Sequence, residues 1–407
     1  MENEEKKQKG DKTSRSPRFA RQLFRAPVLL YMMIILLAAE FSVVAIAPLL
    51  VPDCRYLRLY LNARAEECTR KHLDGTDRYN IRCDLIGWRN RPNCTYRKWE
   101  VDEHGARTTH AYTTISTKPN RVMFMGSSMI NGGPFVYTNE TISALIEDST
   151  IEAINFGTMR YSLDQVYLHY KNELNAYHPN ILVVEIPGSP DKGLRNQYVL
   201  FRNRYAGDMP YLKPRFTLES DELVLVPVPP KEYHDSIFCS PELLRWLEQT
   251  DGYYNDFRAF KRFGHLPIAN TLWYFYQKAR NLYRLIMGDY RDMPLLEVLM
   301  ARLVDLADKQ GVAVTFIMMP DRTITAAAGW RKFLPDHYKR QLDMLESKGF
   351  DIIDGREVLR RSGIPFWKLY ASDNQHYSPA GNLLLAEALK ERLDKNSRKS
   401  PVLVEKN

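Results

Sequence analysis

From residue 121 onward, the chain alternates short apolar runs with longer amphipathic stretches. Five runs have the length and β-branched content of buried strands: residues 121–126, 151–155, 181–186, 312–319 and 350–354. Helix-length stretches with one apolar face lie near residues 134–147, 162–177, 293–310, 333–348 and 379–393. Buried strands separated by helices are typical of a parallel sheet covered on both faces. The pattern therefore predicts an α/β fold, a three-layer α/β/α sandwich with a central parallel five-stranded sheet.

This predicted domain covers residues 121–395, and residues 396–407 form a short tail. An insertion at residues 192–290 interrupts the alternation. It contains YLKPRFTLESDELVLVPVPP, which predicts a β-hairpin, and then an aromatic-rich run. The aromatic residues of that run either pack into a core or form a platform for sugar rings; they are Tyr253, Tyr254, Trp273, Tyr274 and Tyr276.

A membrane anchor is predicted near the N-terminus. Residues 1–26 form a basic tail, and the next segment, residues 27–51, contains an apolar run from 28 to 51 that is long enough for a helix to cross a bilayer. A cleaved signal peptide and a buried helix are the alternatives. Because Lys and Arg precede the run, the N-terminus is expected in the cytoplasm, with the rest of the chain outside the cell (inner) membrane.

Residues 52–120 have few long apolar runs and are predicted to be a neck and lead-in. Four cysteines lie in this segment: Cys54, Cys68, Cys83 and Cys94. An exported segment with clustered cysteines favours disulfides, whose pairing is left open. A zinc site is the weaker alternative, because the cysteines form no CxxC pair and have no closely spaced His. Cys239 is expected to be a buried free thiol.

The net charge of +8 gives little support to nucleic-acid binding. Residues 1–26 hold eight Lys and Arg against four acids, which accounts for +4, and no compact basic patch is evident in the rest of the sequence. No phosphate-binding loop, dinucleotide fingerprint or metal-ligand cluster occurs, so neither a cofactor nor a metal is predicted.

Candidate chemistry lies at the end of the first predicted strand, in VMFMGSSMINGG at residues 122–133. Active sites of parallel α/β sheets lie at the carboxyl ends of the strands, so Ser128 is a candidate nucleophile. The alternative is an ordinary glycine-rich turn. A second segment, ASDNQHYSPAGNLLLAEALKERL, places Asp373 and His376 three residues apart before a helix that Ser378 and Pro379 begin. An imidazole next to a carboxylate is suited to deprotonating a hydroxyl, although an incidental surface loop has the same pattern.

Together these segments resemble the SGNH, or GDSL-like, hydrolase family. The family's Gly-Asp-Ser block is similar to GSSMINGG, which places the nucleophile at Ser128, and its Asp-x-x-His block matches Asp373 and His376. NFGTMRYSLDQ and ILVVEIPGSPD resemble the two middle blocks. The stretches LIGWRNRPN, Gly105-Ala106-Arg107, KPRFTLESDELVLV and GVAVTFIMMP are similar to membrane-anchored bacterial members. The resemblance covers residues 84–393 and implies a flavodoxin-like sheet.

The resemblance also implies an oxyanion hole made by the Ser128 amide and two altered positions. The second-block glycine position holds Arg160, with Gly157 present earlier in the block. The third-block asparagine position falls at Ser189 or Pro190. Losing one oxyanion donor typically costs about a hundredfold to a thousandfold in rate.

The chemistry that the resemblance implies is acyl transfer by Ser128, His376 and Asp373 to water or to a sugar hydroxyl. The location outside the cytoplasmic membrane favours O-acyl groups, O-acetyl above all, of a cell-envelope or exported polysaccharide as substrate. No partner protein is identified. The altered oxyanion positions leave a second hypothesis open, a pseudoenzyme that serves as a carbohydrate-binding or assembly subunit.

Overall fold

The computed structural model describes residues 77–188, 193–202, 211–230, 240–255, 292–326 and 336–399, together with scattered residues elsewhere. Most of the predicted membrane span lies outside the described residues, and so do Cys54, Cys68, Cys239, Ser189 and Pro190. Within the described part of the chain, no helix combines the length and the apolar character that crossing a membrane requires.

The described strands and helices follow the predicted alternation. The strands are β1 (Asn80–Cys83), β2 (Gly87–Asn90), β3 (Thr95–Tyr96), β4 (Trp99–Glu100), β5 (Asn120–Met125), β6 (Ile151–Asn155), β7 (Ile181–Pro187), β8 (Arg215–Glu219), β9 (Glu222–Val226), β10 (Ala313–Met319) and β11 (Ile352–Asp354). The α-helices are α1 (Ser128–Asn131), α2 (Ile142–Ile146), α3 (Leu163–Asn172), α4 (Val199–Arg202), α5 (Pro241–Thr250), α6 (Met293–Asp308), α7 (Arg322–Ala326), α8 (His337–Ser347), α9 (Gly355–Arg361), α10 (Phe366–Leu369) and α11 (Pro379–Lys399).

The central sheet has five strands in the order β11-β10-β7-β5-β6, and every neighbouring pair is parallel. All five predicted strands are therefore confirmed. Numbered along the chain, this is the order 2-1-3-4-5 of flavodoxin-like sheets. The direction of winding changes between β5 and β7, and ligands of such sheets bind beyond the carboxyl ends of the strands at this switch point.

Alternate residues of the strands face opposite helical layers. Val122 and Phe124 pack in one apolar cluster with residues of α2, α9 and α11, whereas Met123 and Met125 pack in a second cluster with residues of α3, α6 and α8. Successive side chains of a strand point to opposite faces, so a strand that is apolar throughout is buried on both sides. This arrangement gives the three layers that the sequence predicts.

The described part of the lead-in packs against the same core. Ile86, Trp88, Ala106 and Tyr112 are buried in the larger cluster. The Trp88 indole donates to the carbonyl of Met159 at 3.0 Å, which joins the lead-in to the segment after β6. Residues 77–119 therefore belong to the folded body that surrounds the sheet, and they help to shape its carboxyl edge.

Cys83 and Cys94 are free thiols, so the predicted disulfides do not include a bond between these two residues. The two thiols pack in different places: Cys83 contacts the main core, whereas Cys94 lies in a small cluster with Trp99 and Val101. The Cys94 thiol donates instead to the carbonyl of Arg78. A disulfide that involves Cys54 and Cys68 stays a prediction.

The hairpin predicted within the insertion is confirmed as β8 and β9, which pair antiparallel. Just before β8, the buried Lys213 ammonium forms an ion pair with the buried carboxylate of Asp164 in α3. Tyr253 and Tyr254 pack against the main core, which favours a packing role for the start of the aromatic run. Trp273 and Tyr274 lie outside the described residues.

Candidate active site

The predicted nucleophile, Ser128, begins α1 immediately beyond the carboxyl end of β5. Ser127 caps this short helix, and its Oγ accepts from the amide of Met129 at 3.4 Å. Gly126 precedes the pair where no side chain fits, because a Cβ there would lie 2.4 Å from the Cβ of Glu185. The turn thus brings Ser127 directly against β7 and places Ser128 next to it, at the switch point of the sheet.

The carboxylate of Glu185 organises this turn. It accepts from the Ser127 hydroxyl at 2.6 Å, from the Ser127 amide at 2.6 Å and from the Ile130 amide at 3.2 Å. The first amides of a helix have no acceptors within the helix. Here the buried carboxylate of Glu185 accepts from two of them, the amides of Ser127 and Ile130. Burial raises the pKa of Glu185 above its ordinary value, although these hydrogen bonds act in the opposite direction.

None of the described hydrogen bonds uses the N–H of Ser128, which leaves that amide available as an oxyanion donor. The sequence assigned Ser127 to the position that is Asp in the resembled family. In the structure, Ser127 hydrogen-bonds through its amide and its hydroxyl to the carboxylate of Glu185 in the neighbouring strand.

The predicted acid–base pair is formed. Nδ1 of His376 lies 2.5 Å from Oδ2 of Asp373, and the other carboxylate oxygen accepts from the amides of Gln375 and His376, both at 3.1 Å. Burial raises the pKa of Asp373, but the hydrogen bond and the charge of His376 outweigh it, so the pKa lies below its ordinary value. An ionised Asp373 fixes the proton of the imidazole on Nδ1 and leaves Nε2 as the basic atom.

Nε2 of His376 is buried and has no hydrogen-bond partner among the described residues. The ring lies against the loop that follows α1: a Cβ on Gly133 would be 3.3 Å from Nε2, and the Phe135 ring stacks on the imidazole at 4.9 Å between centroids. The structure therefore brings His376 and the loop of the candidate nucleophile to the same edge of the sheet. No hydrogen bond between Ser128 and His376 is present in the described part of the chain.

Arg107 holds this loop in place. Its buried guanidinium donates to the carbonyls of Asn131 at 2.6 Å, Gly133 at 2.7 Å and Val136 at 2.7 Å. It also donates to the carbonyl of Lys98 at 3.0 Å. Burial lowers the pKa of Arg107 to about 9, partly offset by the charges of Glu100 and Glu140. A single cation thus shapes the backbone that contacts His376.

Asn155, at the carboxyl end of β6, ties the second block to α1. Its side chain donates to the Ile130 carbonyl at 3.0 Å and accepts from the Gly157 amide at 2.9 Å. Gly157 lies so close to α1 that an added Cβ would be 2.4 Å from Ile130 Cγ2 and 2.7 Å from the Asn131 nitrogen. The segment after β6 therefore packs directly beside the nucleophile turn.

The predicted oxyanion residues are only partly placed. Arg160 lies in this second block with a φ of 64°, the left-handed conformation that non-glycine residues seldom adopt. Ser189 and Pro190 lie outside the described residues. The roles of Arg160 and Ser189 in an oxyanion hole stay predictions.

Two residues of this site were not identified from the sequence, Glu185 and Arg107. A single acid within the apolar run ILVVEI was the available signal for Glu185, because a charge in a strand buried on both faces needs partners. Arg107 belongs to a stretch that supported the family resemblance, but its partners in the loop after α1 lie 24 to 29 residues further along the chain.

Glu185→Ala should destabilise the protein by about 2 kcal/mol or more, because it leaves the buried amides of Ser127 and Ile130 without an acceptor. Glu185→Gln should lose less, since its amide oxygen can still accept. Urea unfolding of the two variants measures the difference, with the exposed Glu222→Ala as the matched control. Equal unfolding midpoints for Glu185→Ala and Glu222→Ala would contradict the assigned role.

Comparisons with known proteins leave the chemistry to be inferred from the site alone. No family model and no curated protein matches the chain. A lipolytic protein of the G-D-S-L family from Desulfitobacterium hafniense DCB-2 is similar at 11% identity and a TM-score of 0.32, over 67% of this chain and 98% of that one. A catalytic mutant of Axe2, an acetylxylan esterase from Geobacillus stearothermophilus, is similar at 12% identity and a TM-score of 0.34, over 68% of this chain and 94% of that one. The lipase/acylhydrolase from Enterococcus faecalis is similar at 9% identity and a TM-score of 0.33, over 68% of this chain and 96% of that one. Likeness at these values carries no argument about activity.

Proposed function

We propose that the chain is a serine ester hydrolase or acyltransferase that uses Ser128, His376 and Asp373. Ser128 Oγ attacks the ester carbonyl while Nε2 of His376 takes its proton. The bond from the carbonyl carbon to the leaving oxygen then breaks, and His376 returns the proton to the leaving alcohol. Water or a sugar hydroxyl next attacks the acyl-serine, which regenerates Ser128 and releases the acid or the acylated sugar.

The observation that carries the proposal is the arrangement around His376. Its Nδ1 is held by Asp373 at 2.5 Å, and its Nε2 is buried without a described partner beside the loop that follows Ser128. A buried ring nitrogen without a partner is costly in a purely structural role. It is what a general base needs before substrate binds, since catalytic hydrogen bonds often close only in the complex.

The proposed substrate is an O-acyl group, O-acetyl above all, on a cell-envelope or exported polysaccharide. The support for this is the apolar run at residues 28–51 after a basic tail, which favours a tethered enzyme whose folded body lies outside the cytoplasmic membrane. An enzyme held there meets glycans rather than nucleic acids. If the chain acts as an acyltransferase that receives its acyl group from the membrane, it needs a membrane-protein partner. The proposal does not specify that partner.

Labelling with a fluorophosphonate probe tests the proposed chemistry. The full chain in detergent should form a covalent adduct, and mass spectrometry of its peptides should place the phosphonyl group on Ser128. His376→Ala should lower the labelling rate by at least about a hundredfold, because a serine without its base is a weak nucleophile. A full chain that folds but does not label would favour the pseudoenzyme, the carbohydrate-binding or assembly subunit.

Reporter fusions test the proposed anchor and its orientation. A reporter that is active only outside the cytoplasm should work when fused after residue 60 and fail when fused before residue 26. The opposite pattern would contradict the location. Release of a soluble form that starts near Pro48 would contradict the anchor and favour a cleaved signal peptide instead.

A further inference from the structure

Beside the candidate active site, the structure presents a surface that we name the basic–aromatic rim, made of Arg78, Tyr96, Arg97, Lys98 and Tyr137. The guanidinium carbons of Arg78 and Arg97 lie 4.8 and 5.2 Å from the Tyr96 ring centroid. The Lys98 ammonium lies 4.6 Å from the centroid of the Tyr137 ring. Contacts of this kind hold cations over the faces of aromatic rings.

The rim adjoins the loop that contacts His376. The Lys98 ammonium donates to the Phe135 carbonyl at 2.9 Å, and the Phe135 ring stacks on His376. On its other side, Tyr79 stacks on Trp99 at 5.6 Å, and this small cluster packs against Met159. The rim therefore adjoins the loop that follows Ser128 and, through Tyr79 and Trp99, the segment after β6.

The positive charge of the rim is not neutralised within the described part of the chain. Among the described residues, no carboxylate forms an ion pair with Arg78, Arg97 or Lys98, whereas lysines such as Lys309 and Lys339 pair with carboxylates of α6 and α8. Glu140, three residues after Tyr137 along the chain, accepts from the Tyr137 amide at 2.7 Å. Three cations without carboxylate partners are complementary to an anionic ligand.

The rim also offers an apolar surface. Tyr137 is 54% exposed, although its side chain lies next to the buried loop that Arg107 holds. An exposed ring beside a cation is suited to the apolar face of a sugar that carries an acidic group. Arg97 adopts a φ of 54° in the turn between β3 and β4, so its guanidinium is presented at the cost of a conformation unfavourable for its backbone.

We infer that the basic–aromatic rim binds an anionic polysaccharide and thereby selects an acidic glycan as the substrate. The inference rests on the proposed acyl-transfer function for its catalytic consequence, but the binding itself does not depend on that function. The guanidinium groups of Arg78 and Arg97 would contact the acidic groups of the glycan, and Tyr137 would stack on a sugar ring. The acyl ester would then lie over the loop that follows Ser128 and contacts His376.

Binding of oligosaccharides to the full chain in detergent tests the inference. The probes are oligogalacturonate, neutral xylo-oligosaccharide of equal length and vesicles with an anionic lipid. The test variant combines Arg78→Gln with Arg97→Asn, because asparagine tolerates the left-handed turn. The control variant combines Arg302→Gln with Lys309→Gln, which removes the same charge from two exposed positions, one within α6 and one immediately after it.

Oligogalacturonate should bind the wild type and the control variant at least about tenfold more tightly than the test variant, and salt should weaken that binding. The neutral oligosaccharide should bind weakly and equally to all three. Tyr137→Ala should weaken oligogalacturonate binding as well, while Tyr137→Phe should not. With an acetylated acidic oligosaccharide as substrate, the test variant should raise KM and leave kcat and fluorophosphonate labelling unchanged.

Equal oligogalacturonate binding by the test and control variants would overturn the inference, and so would equal affinity for acidic and neutral oligosaccharides. Binding to anionic vesicles alone, lost in the test variant, would assign the rim to a lipid surface instead. If the wild type is not labelled by the fluorophosphonate but still binds oligogalacturonate through the rim, the catalytic proposal is refuted. The rim would then stand as a glycan-binding site alone.

Discussion

Ser128→Ala should reduce hydrolysis of a short acetyl ester by at least about a thousandfold and abolish fluorophosphonate labelling. The hydroxyl is the atom that forms the acyl-enzyme bond, and no other hydroxyl can replace it at the turn. Ser127 is the neighbouring candidate, but its hydroxyl donates to Glu185 at 2.6 Å and is thereby turned toward β7. Initial rates measured on the purified full chain give the ratio.

The members of a catalytic triad act as a unit, so their losses should not add. His376→Ala should cost about as much as Ser128→Ala, and the double variant should cost little more than either. Asp373→Asn should lower the rate as well, because it removes the carboxylate that holds Nδ1 of His376 at 2.5 Å and stabilises the imidazolium.

The control for these substitutions is Ser347→Ala, at an exposed position near the end of α8. Ser127→Ala is not a clean control, because it removes a hydrogen bond from the buried Glu185 and alters the cap of α1. Wild-type rates in Ser128→Ala would show that Ser128 is not the nucleophile, and would leave the Ser128 site to the pseudoenzyme hypothesis. Equal losses in Ser347→Ala would mean that the assay reports stability rather than catalysis.

The central sheet could be predicted because each strand is buried on both faces and therefore leaves a continuous apolar run. The run ILVVEI is apolar except for Glu185, and the structure places it in the middle of the sheet. The lead-in was harder to assign, because its buried residues Ile86 and Trp88 are isolated in the sequence and find their core partners only through distant segments. Such contacts are not encoded in local periodicity.

The acid–base pair was predictable for a different reason. Asp373 and His376 are three residues apart on one turn, so local geometry alone brings them together. Glu185 and Ser127 are separated by 58 positions, and their hydrogen bond depends on β5 and β7 being neighbours in the sheet. The order of the strands, and with it the partner of Ser127, could not be obtained from hydrophobic patterning.

Arg107→Met should destabilise the protein by about 3 to 5 kcal/mol and abolish fluorophosphonate labelling even at temperatures where the variant stays folded. The substitution leaves the buried carbonyls of Asn131, Gly133 and Val136 without the donor that they share. Each buried carbonyl without a donor costs about 1 to 3 kcal/mol, and partial relaxation of the loop keeps the total below the simple sum. Urea unfolding and labelling rates provide the two measurements.

Arg107→Lys separates the charge from the geometry. An ammonium keeps the positive charge but lacks the planar fork that reaches carbonyls on both sides of the loop, from Lys98 to Val136. We therefore expect an intermediate loss of stability and a labelling rate well below the wild type, because Gly133 and Phe135 would no longer hold His376 in position. Arg302→Lys, at an exposed position of α6, is the matched control. Wild-type labelling in a folded Arg107→Lys would show that the loop keeps its shape without the fork, and that the lead-in stabilises the fold without positioning the catalytic histidine.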